Sequence, residues 1–501
     1  MKKLLSILLL ILLLSCNSND NKIKITFLQV NDVYEIGALE GGKVGGMDRV
    51  ETIHKELLKE NPNTFLFMAG DFLNPSLIGT LKYKGERIRG KQMIETMNAM
   101  NFDLVSFGNH EFDLKYKDLQ KRLNEANFQW ISTNALHNED GKISQFYVMR
   151  DSSKIKIPRT FILNVKDQDG TSIKIGFVSP CINSNPKDYV DYGDLYEDAK
   201  HGFNNIKPKT DFVIGLTHLK QSQDEMIAKM LPEIQLIMGG HEHTNRLVPV
   251  GNCNIAKADA NARTVYVHRL EYNTKTKKLS IKSELVPVNN KIKGDDKVAG
   301  IIKRWSVLLD EKIKQILPNP KEVIFVAKTP LDGRDTPIRS IQTNLGTIIA
   351  KSMAIGFDNK VDCALVNGGS IRIDDQLEGD ITGIDIFRVL PYGGKVLKVK
   401  IKGSLLGKVL QYGRLHAGKG SYLQRYNALY NKDKKEWLVD GKAINESKIY
   451  TVAFSDYLLK GYDIPFLKPE NKDVINVYKP TENELNFDIR KAVISYMKTI
   501  K

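Results

Sequence analysis

Phe102-Asp103-Leu104-Val105-Ser106-Phe107, running directly into Gly108-Asn109-His110-Glu111-Phe112-Asp113, decides how the N-terminal half is read. The first six residues are largely apolar and read as a buried strand. Gly108 ends it, and side chains able to bind metal or move protons follow at once. A polar cluster at the carboxyl end of a strand is where open α/β sheets hold ligands. Taken alone, the hexapeptide also reads as an Asn-His turn that caps the next helix.

Outward from this stretch the pattern repeats. Ile23 to Val30 is a strand ending at Asn31-Asp32, and Phe65 to Met68 is one ending at Gly70-Asp71. Asp211 to Leu216 ends at Thr217-His218, and Ile234 to Met238 ends at Gly239-Gly240-His241-Glu242-His243. Ser172 to Val178 is a further strand. Met47 to Lys59, Gln92 to Met100 and Leu114 to Ala126 carry apolar residues at helical spacing between the strands. Such alternation predicts an α/β domain with helices on both faces of its sheet. Five strands each stop in an oxygen or imidazole ligand: Asp32, Asp71, Asn109-His110, His218, and His241 with His243. Four of the nine histidines occupy these ends, whereas His54, His137, His201, His268 and His416 keep a structural reading. Mixed carboxylate, amide and imidazole donors suit Zn²⁺, Mn²⁺, Co²⁺ or Fe better than a purely oxygen-ligated Ca²⁺. Two such ions about 3.5–4 Å apart would clamp a phosphoryl group and generate hydroxide near neutral pH. In extended backbone His241 and His243 would face one cavity.

Composition bounds the rest. The chain has 501 residues, 42% apolar and 27% charged, which implies a soluble globular protein of two or three domains. Lys2-Lys3, the apolar run Leu4 to Leu14 and Ser15-Cys16 have the layout of an export signal, too short to span a bilayer. Leu13-Leu14-Ser15-Cys16 resembles a bacterial lipobox, in which Cys16 would be lipidated and residues 16–22 would form a tether. A plain cleaved signal is the alternative. The net charge of +15 is spread along the chain, with no basic helix carrying interleaved aromatics. It reads as a solvated surface suited to steering phosphorylated substrates, and not as a nucleic-acid site. Cys181, Cys253 and Cys363 are single and odd in number, so no disulfide framework is expected.

Apolar residues from Val298 to Leu317 recur at helical spacing, ahead of Pro318 and Pro320. They predict a linker helix over 294–318, between a domain at 23–293 and a second at 319–501. In the second domain Ile341-Gln342-Thr343-Asn344-Leu345-Gly346 opens a helix. Asp362 to Val366 is a strand ending in Asn367-Gly368-Gly369-Ser370-Ile371-Arg372, and Val396 to Ile401 and Tyr450 to Phe454 are further strands.

Taken in order, Asp32, Gly70-Asp71, Gly108-Asn109-His110-Glu111, Thr217-His218 and Gly239-Gly240-His241-Glu242-His243 resemble the motifs of calcineurin-like metallophosphoesterases. Gly108 to Asp113 more narrowly resembles the 5'-nucleotidase family, which includes bacterial UDP-sugar hydrolase and ecto-5'-nucleotidase. The resemblance implies a four-layer α/β/β/α N-terminal domain and a C-terminal α/β domain that holds the nucleoside, with rotation about the linker helix. It implies that Asp71 bridges two divalent ions, that Asp32 and His243 serve one, and that Asn109, His218 and His241 serve the other. His110, oriented by Asp113, would stabilise the phosphoryl transition state. Asn367-Gly-Gly-x-x-Arg372 and Arg339 match the family's substrate motifs, although Gln342 replaces a usual glutamate. Arg339 and Arg372 would bind phosphate, for which a planar guanidinium is well shaped. Tyr392 and Tyr457 fall where the family has two phenylalanines that sandwich the base, and Asp463 where it has an aspartate for ribose hydroxyls. From local sequence the two tyrosines could equally be core aromatics and Asn367-Gly-Gly only a turn.

One position departs from the family: the usual Asp-x-His is Asp32-Val33-Tyr34. The phenol either ligates a hard ion, leaves that ion one ligand short, or packs. The implied activity is hydrolysis of nucleoside 5'-phosphates by a metal-activated hydroxide. UDP-sugar or 2',3'-cyclic-nucleotide hydrolysis is the enzymatic alternative, and a non-catalytic nucleotide-binding surface lipoprotein is the other. The expected partners are a nucleotide and, through the lipid, a membrane.

Overall fold

A computed structural model of the chain describes residues 21–184 and 186–500. The expected signal, Cys16 and most of the tether lie outside them. By internal contacts the chain divides into two units. The first takes the described residues up to Val33, Met47–Asp71 and Met97–Asp295; the second takes Tyr34–Gly46, Phe72–Thr96 and the chain from Asp296. Sequence order places 34–46 and 72–96 inside the 23–293 span, but their contacts group them with the second unit.

Two six-stranded sheets build the first unit, which strand–helix alternation by itself did not separate but a four-layer α/β/β/α domain requires. In one, the parallel run Lys22–Val30, Thr64–Met68, Leu104–Ser106, Gln129–Ile131 is extended by antiparallel Thr264–Asn273 and Lys278–Pro287. In the other, Ser172–Val178, Phe212–His218, Leu236–Gly240 and Cys253–Lys257 run parallel, with Thr160–Lys166 and Arg246–Val250 antiparallel at the two edges. The sheets face each other across one apolar core. Phe27 and Phe67 of the first meet edge to face at 4.7 Å, and Phe67 stacks on Phe177 of the second at 5.4 Å. Burying each such ring contributes about 1.5–3 kcal/mol.

Strand periodicity sorts the second sheet's side chains between layers. Leu236 and Met238 enter the inter-sheet core, while Ile237 turns outward with Val213 and Ile255 to meet Phe203 and Ile227 of the helices Leu195–Ile206 and Gln221–Met230. Helix Met47–Glu60 packs on the first sheet through Val50, Ile53 and Leu57. This is the four-layer order the resemblance implied. Central strands are covered on both faces, so their sequences do not reveal how many sheets they form.

The second unit has its own core on a five-stranded sheet ordered Leu423–Tyr426, Cys363–Asn367, Ile449–Ser455, Val396–Lys402, Val474–Tyr478. The helix Asp296–Lys314 belongs to it and buries Val298, Trp305, Leu309 and Ile313. Trp305 Nε1 donates to Glu95 Oε2 at 3.0 Å. Cys181, Cys253 and Cys363 are buried free thiols. No helix among the described residues is long and apolar enough to cross a membrane.

Candidate active site

In the first unit the ligand-bearing residues sit at or just beyond the strand ends. Ligand atoms of Asp71, His218 and His241 lie within 4.8 Å of one another. His218 Nε2 is 3.0 Å from Asp71 Oδ2 and 3.9 Å from Asp32 Oδ1, and His243 Nε2 is 3.3 Å from Asp32 Oδ1. Asn109 Oδ1 is buried without a hydrogen-bond partner among the described residues. An orphaned amide oxygen, on the residue before His110 whose N–H binds Asp71, together with the crowded carboxylates and imidazoles, fits a divalent cation, since buried polar atoms otherwise find partners.

The supporting bonds leave specific atoms turned toward this cluster. Asp32 Oδ2 accepts from Asn31 Nδ2 at 2.8 Å and from the His241 backbone N–H at 2.9 Å, leaving Oδ1 to face the histidines. The Ala69 carbonyl lies 2.8 Å from His218 Nδ1, which assigns the proton there and turns Nε2 toward Asp71 and Asp32. Asp71 Oδ1 accepts from the His110 backbone N–H at 2.7 Å. Asp32, Asp71, His241 and His243 have φ of 54°, 57°, 83° and 60°. Left-handed backbone at four non-glycine residues is strain of the kind held at functional sites. Extended-strand alternation therefore does not describe His241 and His243, which occupy bends that the surrounding structure holds. Gly108 is required by contact: a Cβ there would lie 2.1 Å from Asp71 Oδ1.

The turn after Gly108 is a 3-10 helix over His110–Asp113. Phe107 stacks on Phe112 and Trp130, at 5.2 and 4.7 Å, which anchors it. His110 Nδ1 lies 2.8 Å from Asp113 Oδ2, which fixes the orientation of the ring. Sequence reading gave Glu111, Asp224 and Lys257 no role. Glu111 Oε2 accepts the N–H of Gly108 at 2.7 Å and of Asp71 at 2.9 Å, fastening two ligand loops together. Fully buried Lys257 reaches Asp224 Oδ2 at 2.9 Å and donates to the carbonyls of Leu219 and Gly240, next to His218 and His241. The only sequence signal for this pair is Lys257 at the end of the largely apolar Cys253–Lys257; Asp224, in the polar run Gln221-Ser222-Gln223-Asp224-Glu225, carries none.

Burial opposes the charged form of Asp32, but His218 and His243 outweigh it and hold its pKa at about 2. Burial likewise opposes the imidazolium of His218, yet Asp71 and Asp32 raise its pKa to about 9. Burial and the neighbouring His218 keep His241 neutral. In the metal-free protein the Asp32 contribution to stability is complete above pH 3.8 and is lost as pH falls toward about 2. The His218 contribution is complete below pH 6.5 and is lost as pH rises through about 9. Chelated protein is therefore expected to show its highest thermal midpoint between pH 3.8 and 6.5. Because a metal displaces the His218 proton, affinity should rise about tenfold per pH unit until His218 is deprotonated. Thermal scans and metal titrations across pH check both trends; an affinity that falls with pH would contradict them.

In the second unit Asn367 Nδ2 donates to Asp463 Oδ2 at 2.6 Å, and Ser370 Oγ donates to Asn367 Oδ1 at 2.6 Å. Tyr457 Oη donates to Asp463 Oδ1 at 3.4 Å. Tyr392 is 59% and Tyr457 39% exposed, so neither is a core aromatic. Asn367-Gly-Gly is a turn, but one with a tertiary purpose: a Cβ on Gly368 would lie 2.6 Å from the Ile338 carbonyl, beside Arg339. Arg339 pairs with Asp335 at 2.6 Å. Gln342 donates to and accepts from the Arg425 backbone, a pair of roles an ionised glutamate lacks. Tyr34 is buried and donates to Asp374, a residue of its own unit.

Comparison with known proteins agrees with this division. The calcineurin-like phosphoesterase family model matches residues 25–245, and the 5'-nucleotidase C-terminal domain model matches residues 323–468. The human 5'-nucleotidase is 26% identical over 445 residues, covering 80% of this chain and 74% of that protein. The Vibrio cholerae 5'-nucleotidase is 27% identical over 462 residues, covering 81% and 78%. The fold is that of the 5'-nucleotidase precursor from Thermus thermophilus, with a TM-score of 0.66 at 20% identity over 96% of this chain and 97% of that one. With a calcineurin-like phosphoesterase match followed by a 5'-nucleotidase C-terminal match, the chain belongs to the 5'-nucleotidase family of calcineurin-like phosphoesterases and is a phosphoric ester hydrolase.

Proposed function

We propose that this chain is an exported hydrolase that releases phosphate from nucleoside 5'-phosphates. The observation that carries the reading is the Tyr457–Asp463–Asn367 group beside exposed Tyr392. Flat rings suit a base, and a carboxylate held by Asn367 suits a ribose diol. Relatives named 5'-nucleotidase support the substrate class.

Asp32 and His243 would hold one divalent ion, Asn109, His218 and His241 a second, and Asp71 both. When bound, such a pair supplies an ionised water near neutral pH and neutralises the phosphoryl oxygens. Arg339 and Arg372 bind and orient the phosphate by bidentate hydrogen bonds. His110 Nε2 holds a proton toward the leaving 5'-oxygen while Asp113 fixes the ring. Water oxygen bonds to phosphorus as the P–O5' bond breaks, and the alkoxide takes up a proton. Base and ribose contacts away from phosphorus supply the binding energy that positions it.

Phosphate release from AMP, UDP-glucose and a 2',3'-cyclic nucleotide, each with Mn²⁺, Zn²⁺ or Co²⁺, tests this reading. AMP is expected to have the highest kcat/KM. Preference for UDP-glucose or the cyclic nucleotide would replace the substrate, and nucleotide binding without any release would remove the activity. Export with anchoring through lipidated Cys16 belongs to the same proposal; activity that stays in the soluble fraction of lysed cells would remove the anchor.

A further inference from the structure

Tyr34 stands two residues after Asp32, where the related motif carries a histidine, and its surroundings give it another task. Its hydroxyl donates to Asp374 Oδ2 at 3.2 Å. The other oxygen of that carboxylate accepts the Asp335 backbone N–H at 2.6 Å, at the start of the short helix Asp335–Ile338. Asp335 Oδ1 in turn pairs with Arg339 Nη2 at 2.6 Å. Asp374 also lies two residues beyond Arg372 in one loop. A single carboxylate thus ties the loop carrying Arg372 to the turn carrying Arg339, and Tyr34 bonds to that carboxylate. A second observation places the ring itself: Tyr34, Arg372, Arg388 and Tyr392 share the wall of a cavity of about 10 Å³. Such a space holds no more than one water, so the phenol is a packed wall of this region.

We propose that Tyr34 is a positioning residue for the two phosphate-binding arginines, acting through Asp374, and not a metal ligand. The assignment rests on the preceding reading of Arg339 and Arg372. Removing the hydroxyl leaves Asp374 with one fewer donor and loosens Arg339 relative to Arg372. The ring of phenylalanine still fills the wall.

Full-length Tyr34→Phe and Asp374→Asn, loaded with Mn²⁺ or Zn²⁺ and dialysed, are compared with the parent by elemental analysis and steady-state kinetics. Metal content is expected to be unchanged. KM for a nucleoside 5'-monophosphate should rise about tenfold in either variant, the loss expected for one hydrogen bond to a charged group, with kcat changed far less. The double variant should be no worse than the singles, because both break one connection. Loss of metal in Tyr34→Phe overturns the proposal, whatever the substrate. Unchanged KM with unchanged metal overturns it equally. If the parent hydrolyses no nucleotide, the preceding reading fails on its own. The proposal is then decided by calorimetric affinity for inorganic phosphate, which must weaken in Tyr34→Phe for it to stand.

Discussion

Replacing His110 by alanine is expected to lower kcat by about 10²–10⁴-fold while leaving bound metal unchanged. The separation follows from which atoms of residue 110 do what. Its backbone N–H holds Asp71 Oδ1 at 2.7 Å, and alanine keeps that bond. Its ring is fixed by Asp113, whose other oxygen is 3.6 Å from Lys187 Nζ, and alanine removes the ring. Asp113→Asn retains a hydrogen-bonding partner but removes the charge that favours an imidazolium, so a smaller loss of kcat is expected. Steady-state kinetics with elemental analysis checks the prediction. Full activity in His110→Ala would exclude the ring from the reaction, and loss of metal would make it a ligand.

The second large effect is on stability. Lys257→Met is expected to cost about 3–5 kcal/mol, the range for breaking a buried ion pair from one side. Burial pushes the Asp224 carboxyl up, and Lys257 and a hydrogen bond from Thr217 oppose that push. Without the ammonium, Asp224 becomes a buried carboxyl with one donor, and the Leu219 and Gly240 carbonyls each lose one. Those carbonyls adjoin His218 and His241, so metal affinity should fall with stability. Lys257→Met combined with Asp224→Leu should recover part of the stability, since apolar pairs often replace buried ion pairs well. It should not recover metal affinity, because the two loops remain untied. Urea denaturation and metal titration read the two effects separately. A cost below about 1 kcal/mol for Lys257→Met would show that the pair carries little of the fold.

The two effects differ in how far the sequence announced them. His110 and Asp113 lie within one six-residue stretch, so their pairing is local and legible. Lys257 and Asp224 are 33 residues apart on a strand and a helix, and only parallel pairing of Leu236–Gly240 with Cys253–Lys257 brings the ammonium under the loops. Glu111 is an intermediate case. Its position beside His110 was visible, but its bond to Asp71 spans 40 residues and needs two neighbouring strands to end level.

By itself the sequence marked the strands that lead into the site, Lys22–Val30, Thr64–Met68, Leu104–Ser106, Phe212–His218 and Leu236–Gly240, because each is a short apolar run ending in polar residues or glycine; it did not mark Thr160–Lys166, Arg246–Val250, Cys253–Lys257, Thr264–Asn273 or Lys278–Pro287. It also placed carboxylate, amide and imidazole side chains at the ends of the marked strands, the residue types of a metallophosphoesterase. The motifs implied two sheets by resemblance, but which strand joins which sheet was decided by tertiary structure, since strands covered on both faces carry no mark of it. Tertiary structure alone fixed the left-handed backbone at Asp32, Asp71, His241 and His243, a state that Asp and His enter more readily than most residues but that only the surrounding packing holds at all four. It also gave Tyr34 its partner, because a hydrogen bond across 340 residues has no signature in the chain that makes it.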